Sequence, residues 1–238
     1  MIFVGIDDTD TLDDPGTNQL ARHLVQRLAN SFYARLVTRH QLLEDPRVPC
    51  TRKNGCAAIE FEARAGATID ELAARIRHLM LAWCPVGSDP GLCIANAPVA
   101  HPIIAFGRWC QRRLVEQSEA RQLATAHGIY LEGLGGTQDG VIGALAAVGL
   151  INTRNDGRVI HNGLASVDQF DVSGIHGVGK LLEYGIDEVR RHADSELVTS
   201  GSVDVGKRLR PNYRDGKIVL YVTRLDGQPA DWQAERVI

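Results

Sequence analysis

Six segments between residues 2 and 96 switch between the two hydrophobic periods, and their order restricts the fold more than any other feature of the chain. "IFVGI" (2–6) is a short apolar run suited to a buried strand. "GTNQLARHLVQRLAN" repeats Leu20, Leu24 and Leu28 at helical spacing, with Thr17 or Asn18 as its N-cap. "FYARLVTRH" (32–40) and "CAAIEFEA" (56–63) predict two strands, the second alternating toward one buried face. "TIDELAARIRHLMLAW" (68–83) predicts a helix opened by Thr, Asp and Glu, with Leu72, Ile76 and Leu79 on one side, and "LCIAN" adds a short strand. The order βαββαβ is that of a split βαβ, ferredoxin-like unit.

The remainder is read more coarsely. Residues 98–127 are mostly helical in pattern, "IYLEGL" (129–134) is a strand, "GGTQDG" a tight turn and "VIGALAAVGL" (141–150) an apolar helix. Residues 173–193 read as a turn followed by a helix, and "KIVLYVTRL" (217–225) as a closing strand. The expected class is therefore α/β (α+β): a ferredoxin-like unit with an acidic loop over residues 1–110, then a second α/β portion over 111–238. The softest boundary signal lies between Gly149 and Gly163, and the two portions are compatible with one interlocked catalytic unit.

A chain of 238 residues, 44% hydrophobic, is long enough for a sizeable core. No stretch approaches the ~20 apolar residues of a membrane span, and acids beginning at Asp7 do not fit a secretory signal, so a cytoplasmic protein without membrane contact is expected. Five cysteines, an odd number without a C-x-x-C pair, encode neither a disulfide framework nor a zinc site. A net charge of -3 and a pI near 6.2, with no sustained basic block, do not give the electrostatic footprint of a dedicated nucleic-acid binder.

The first strand delivers a crowd of acids to its C-terminal edge: Asp7, Asp8, Asp10, Asp13 and Asp14 fall within fourteen residues. Asp13 and Asp14 read as exposed. Asp7 and Asp8 abut a buried strand, where unbalanced carboxylates are costly. Asp7, Asp8 and Asp10 together suit Mg²⁺, which takes one or two protein carboxylates and completes its shell with water and phosphate oxygens. In "GLGGTQDGVIGALAA", Gly135, Gly136 and Gly140 follow a strand and open a helix, a context that serves either a phosphate cradle or a tight turn with close helix packing; beside a Mg²⁺-type loop it favours a triphosphate. It is neither a Walker A sequence nor G-x-G-x-x-G. "RVPCTRKNGCA" supplies Arg47, Arg52 and Lys53, cations for phosphate or residues of an exposed loop. "SGIHGVGKLLEYG" is a further glycine cluster, with His176 and Lys180.

"VGIDDTDTLDDPGTNQLA" resembles the opening of the archaeal tRNA agmatinylcytidine (agmatidine) synthetases. The likeness continues in order through "DPRVPCTRKNGCAAIEF", "GSDPGL" and "GLGGTQDGVIGALAAVG", and more faintly in "VDVGKRLRPNYRDGKIVLYV". The resemblance implies an enzyme using ATP and Mg²⁺, in which a kinase-like domain phosphorylates the C2 oxygen of an anticodon cytidine and agmatine displaces the phosphate. Carried onto this chain, it implies Asp7, Asp8 and Asp10 as metal residues, Thr17 at the position of a functional threonine, and Gly135, Gly136 and Gly140 in the ATP-binding glycine loop; with these, Asp8, Thr17 and Lys53 are the expected catalytic residues, and Thr9 and Arg52 join the glycines as expected ATP-binding residues. Two departures weigh on the acceptor. The family's OB-fold and zinc ribbon have no counterpart before Ile238, and its Cys-Thr-Thr is Gly16-Thr17-Asn18 here. The expectation is an ATP-dependent phosphotransferase or ligase-like enzyme acting on a small-molecule or RNA acceptor. A tRNA modifier with a separate RNA-binding partner, or a non-catalytic Mg-ATP-binding module, are the alternatives.

Overall fold

The structure, a computed structural model, describes all residues except 52, 164, 166–170, 227–228 and 238. The chain divides into two compact units, Met1–Thr153 and Arg154–Ile238.

Unit 1 opens with β1 (Ile2–Asp7), α1 (Thr17–Leu28), β2 (Phe32–Gln41), β3 (Gly55–Ala63), α2 (Ile69–Trp83) and β4 (Gly91–Asn96), the expected βαββαβ order. The strands lie in the sequence β4-β1-β3-β2 with every neighbouring pair antiparallel. Leu20, Leu24 and Leu28 of α1 are fully buried, as their spacing predicts. In α2, Leu72 and Ile76 are buried, but Met80 rather than Leu79 completes the apolar row. Thr68 caps α2 by accepting from the backbone N–H of Glu71. The N-cap of α1 is instead Gly16, and Thr17 is its first helical residue; the Thr17 hydroxyl is engaged elsewhere.

Beyond β4 come α3 (His101–Cys110), α4 (Gln117–Ala126), β5 (Tyr130–Gly133) and α5 (Gly140–Asn152). β5 extends the sheet alongside β4. The helix α5 is buried along nearly its whole length, from Gly140 to Ile151. It packs on β1, β3 and β4 and against α3, so it has no solvent face and its sequence no polar stripe. The expected division after residue 110 therefore differs from the observed one: α5 is part of the core of unit 1, and the boundary falls in the 149–163 stretch.

The approach of α5 to β1 is too close for side chains. A Cβ on Gly5 would meet the carbonyl of Ala144, and one on Gly143 would meet the Asp7 carboxylate. Because strand side chains alternate in direction, Gly5 and Asp7 share the face of β1 that α5 covers.

Unit 2 contains β6 (Arg158–Asn162), β7 (Ile175–Gly177), α6 (Val178–Glu183), β8 (Glu188–Arg191), β9 (Ser202–Asp204), β10 (Asn212–Arg214), β11 (Lys217–Arg224) and β12 (Trp232–Ala234). Where a turn and one long helix are expected over 173–193, there are two short strands and a six-residue helix, because Gly185 at φ 86° ends the helix early. The hairpin β10–β11 turns on Asp215 and Gly216, both at positive φ. Val189, Val203, Leu209, Val219, Leu220 and Val222 are buried in this unit. Among the described residues no helix is long and apolar enough to cross a membrane.

Gly5→Val is expected to lower the stability of the protein by at least about 2 kcal/mol in urea denaturation, because its branched side chain has to displace the α5 backbone.

Candidate functional site

The acids sit where β1 runs out from under α5. Asp7 is the last residue of β1, paired in register with Gly91 of β4, and its carboxylate lies against Gly143. Asp8 leaves the strand at φ 51°, a left-handed conformation that aspartate tolerates better than most side chains. The turn is held by the Asp89 N–H, which donates to the Asp8 carbonyl at 3.1 Å.

Asp7, Asp8, Asp10, Thr17, Lys53, Asn54 and their neighbours in the 49–55 loop line one small recess. The structure thus brings together the three expected metal residues and the three expected catalytic residues. Lys53 is half exposed, with its ammonium 3.6 Å from Glu44. Thr9 is fully buried and donates from Oγ1 to Thr17 Oγ1 at 3.1 Å. It lies beneath the recess and fixes the direction of the Thr17 hydroxyl. Arg52 lies outside the described residues. Arg47 is committed to Asp45, at 2.7 Å, and lines a second, larger cleft.

That cleft, about 370 Å³, adjoins the recess through Asp7 and is lined also by Leu42, Leu43, Val48, Leu114, Ile142 and Asp139. Its lining is mixed, with Arg113, Glu116 and Gln117 beside the apolar side chains.

Two further acids belong to the cluster. Asp8 is pushed up to about 6 by burial and by the charges of Asp89, Asp10 and Asp139. Asp7 is pushed up to about 7 by burial and by Asp8, against opposing help from the Asp8 N–H and Arg39. Asp10 also adds to the rise of the Cys84 thiol, to about 11, behind the larger effect of burial. Asp89 and Asp139 come from "GSDPGL" and "GGTQDG", where each aspartate passes for an ordinary turn residue. Only their proximity to Asp8 distinguishes them.

The glycine loop meets this cluster by way of Asp89. The Asp89 carboxylate accepts from the Thr137 hydroxyl and the Gln138 N–H. Gly136, at φ 55°, and Gly140 pass so near the Asp89 region that a Cβ on either would collide with it. Gly135 packs near Pro90. An internal carboxylate therefore occupies donors at this turn, and the three glycines permit close packing of the Ser88–Gly91 turn under α5. They do not line the acidic recess.

The chemistry of the donors fits a divalent cation. Several carboxylates share a partly dehydrated space, and burial together with their mutual repulsion raises two of them toward neutrality; a divalent ion would reverse this. Among the described residues no three His, Cys, Asp or Glu side chains converge as a ready-made metal cage. Mg²⁺ needs only one or two protein carboxylates.

No family model matches the chain, and no curated protein matches it in sequence. Solved structures do match in fold. A tRNA fluorescent labeling enzyme superposes with a TM-score of 0.57 at 24% identity, over 62% of this chain and 35% of that one. A complex of TiaS with tRNA(Ile2) and ATP gives 0.54 at 24% identity, over 62% and 36%. The chain shares their fold. A complex of TiaS, a tRNA(Ile2) agmatidine synthetase, with tRNA(Ile2), AMPCPP and agmatine gives 0.55 at 23% identity. The matched part spans about a third of the length of these proteins, and the resemblance seen in the sequence motifs is thus present in three dimensions as well.

The raised Asp7 carboxyl has a definite consequence for the metal-free protein. Its proton is held more tightly in the folded state, so the stability it contributes is fully present below the unfolded value, 3.8, and is lost as pH rises through about 7. Metal-free Asp7→Asn is expected to exceed the metal-free wild type at pH 8 by about 1 kcal/mol or more, with the difference vanishing near pH 4. Added Mg²⁺ is expected to raise the melting temperature of the wild type and to leave the variant unchanged. Thermal melts with and without EDTA across this pH range measure both effects.

Proposed function

We propose that the acidic end of unit 1 binds Mg²⁺-ATP and that the chain is an ATP-dependent phosphoryl-transferring enzyme, activating an oxygen of its acceptor for displacement by an amine. The observation that carries this reading is the single recess lined by Asp7, Asp8, Asp10, Thr17 and Lys53. Phosphoryl transfer asks for positioning and charge neutralisation more than for a strong protein nucleophile, and these residues provide both.

Asp7, Asp8 and Asp10 would hold the metal, which when bound supplies charge neutralisation to the β- and γ-phosphates. Lys53 lines the same recess from the 49–55 loop and would offer a point charge to the triphosphate. Thr17, its hydroxyl in contact with that of Thr9, brings a neutral hydroxyl to the recess and would position the terminal phosphoryl group. Asp89 and Asp139 deepen the negative potential at Asp8 and strengthen the site's demand for a cation. In the transfer, the acceptor oxygen forms its bond to the γ-phosphorus as the bond to ADP breaks; in the second step an amine adds at the activated carbon and phosphate departs.

The cleft beside Asp7, about 370 Å³, falls in the size range of small-ligand pockets and is the place for the acceptor group. A small metabolite or one extruded base would fill it. The fold likeness to a TiaS–tRNA(Ile2)–ATP complex favours a tRNA base, with RNA-binding surface outside unit 1 supplied by a partner.

Isothermal titration is expected to show ATP uptake by the wild type in Mg²⁺ and none in EDTA, with Asp8→Ala weakening it at least about tenfold. A wild type that takes up no nucleotide in Mg²⁺ overturns the proposal. Thr9→Val is expected to keep nucleotide affinity and to slow ATP turnover by about tenfold or more, because Thr17 loses its orienting donor; loss of nucleotide affinity would instead assign Thr9 to binding.

A further inference from the structure

Unit 2 carries more acids than bases, and several of its cations are paired with carboxylates. Lys180 pairs with Glu183, Arg190 and Lys217 with Glu188, and Arg191 with Asp194 and Glu196. The segment "KRLRPNYR" concentrates charge of one sign. It puts Lys207, Arg208, Arg210 and Arg214 into eight residues without one acid.

Arg210 stands out within it. The residue is half-buried, between Leu209, which is buried and donates its N–H to the Val172 carbonyl, and Pro211. Burial lowers its pKa, and the charges of Arg236 and Arg208 lower it further, with no carboxylate among the described residues opposing them. Arg236 comes from a distant part of the sequence. It is brought there by Asn212, a buried residue whose side-chain Nδ2 donates to the Val237 carbonyl at 3.0 Å. Two chain segments are thus tied together so that like charges meet. A guanidinium offers five N–H donors in a fixed fork, and among the described residues that of Arg210 makes no hydrogen bond or ion pair. Partly dehydrating such a group beside two others costs free energy that only an anion recovers.

We propose that Arg210 and Arg236, with Arg208 beside them, form a phosphate-binding site in unit 2. Phosphate suits this set better than carboxylate. Three terminal oxygens and up to two negative charges match several guanidiniums from different directions, whereas one carboxylate is satisfied by a single bidentate arginine. The phosphate is either that of an RNA backbone or a free phosphate or phosphomonoester. The site uses none of the residues of the acidic recess and does not depend on ATP being the ligand there.

The test uses the full chain in EDTA, which silences a metal-dependent site, at constant ionic strength so that screening does not change. Arginine Nε–H resonances, assigned with Arg210→Gln and Arg236→Gln, are followed while inorganic phosphate or, separately, a short RNA without terminal phosphates is added. Phosphate is expected to shift the Arg210 and Arg236 signals saturably. Arg210→Gln is expected to weaken binding about tenfold or more and Arg236→Gln several-fold, and Arg191→Gln to leave it unchanged. Arg210→Lys, which keeps the charge and an unchanged melting temperature, is expected to lose less than Arg210→Gln. If RNA shifts the same signals and phosphate competes with it, the source is the phosphodiester backbone; if phosphate alone shifts them, it is a free phosphate or phosphomonoester. The proposal is overturned if neither ligand moves these signals, or if Arg210→Gln binds phosphate as tightly as the wild type.

Discussion

The contact on which unit 1 depends is the approach of α5 to β1 without intervening side chains. Gly5 and Gly143 leave room for the Ala144 carbonyl and the Asp7 carboxylate respectively. This closeness lets an entirely apolar helix lie between the sheet and α3, and it also sets the chemistry of the strand's end. Asp7 shares a face with Gly5, so the same packing that stabilises the core covers the first carboxylate of the acidic loop and withdraws it from water. Core formation and a dehydrated acid are two results of one geometry.

The acidic end is held open by turns rather than by regular structure. Asp8 adopts a left-handed conformation, and its carbonyl is tied to the Asp89 N–H. The Asp89 side chain in turn secures Thr137 and Gln138 of the glycine loop. Three stretches far apart in sequence thereby bring Asp10, Asp89 and Asp139 within electrostatic reach of Asp8, and Asp8 and Asp10 within reach of Asp7. Repulsion among them is tolerated because the strand, the turn and the helix are each fixed by contacts elsewhere. A cation bound there, as proposed, would relieve that repulsion.

Glycines illustrate how one motif supports two physical roles. By position after a strand and before a helix, Gly135, Gly136 and Gly140 suit an anion cradle. In the fold they admit the Ser88–Gly91 turn under α5, and the anion nearest that turn is the protein's own Asp89. Thr9 and Thr17 show a similar exchange. Thr17 begins α1 but leaves the capping position to Gly16, and its hydroxyl is free to receive the Thr9 hydrogen bond because the cap does not use it.

The sequence by itself determined the βαββαβ order, the buried faces of α1 and α2 and the delivery of Asp7, Asp8 and Asp10 to a strand end, because hydrophobic period and local turn chemistry are short-range properties written over a few residues. It did not disclose the short strands of unit 2, where three- and four-residue segments carry too little pattern to show a period, nor the place of α5, whose apolar surface is equally consistent with several partners. The gathering of Asp89 and Asp139 around Asp8, and of Arg236 beside Arg210, was decided only by tertiary structure. Charge interactions act through space, and residues separated by more than a hundred positions, as Asp8 and Asp139 are, or brought together by a single Asn212 amide, become neighbours only when the chain has folded.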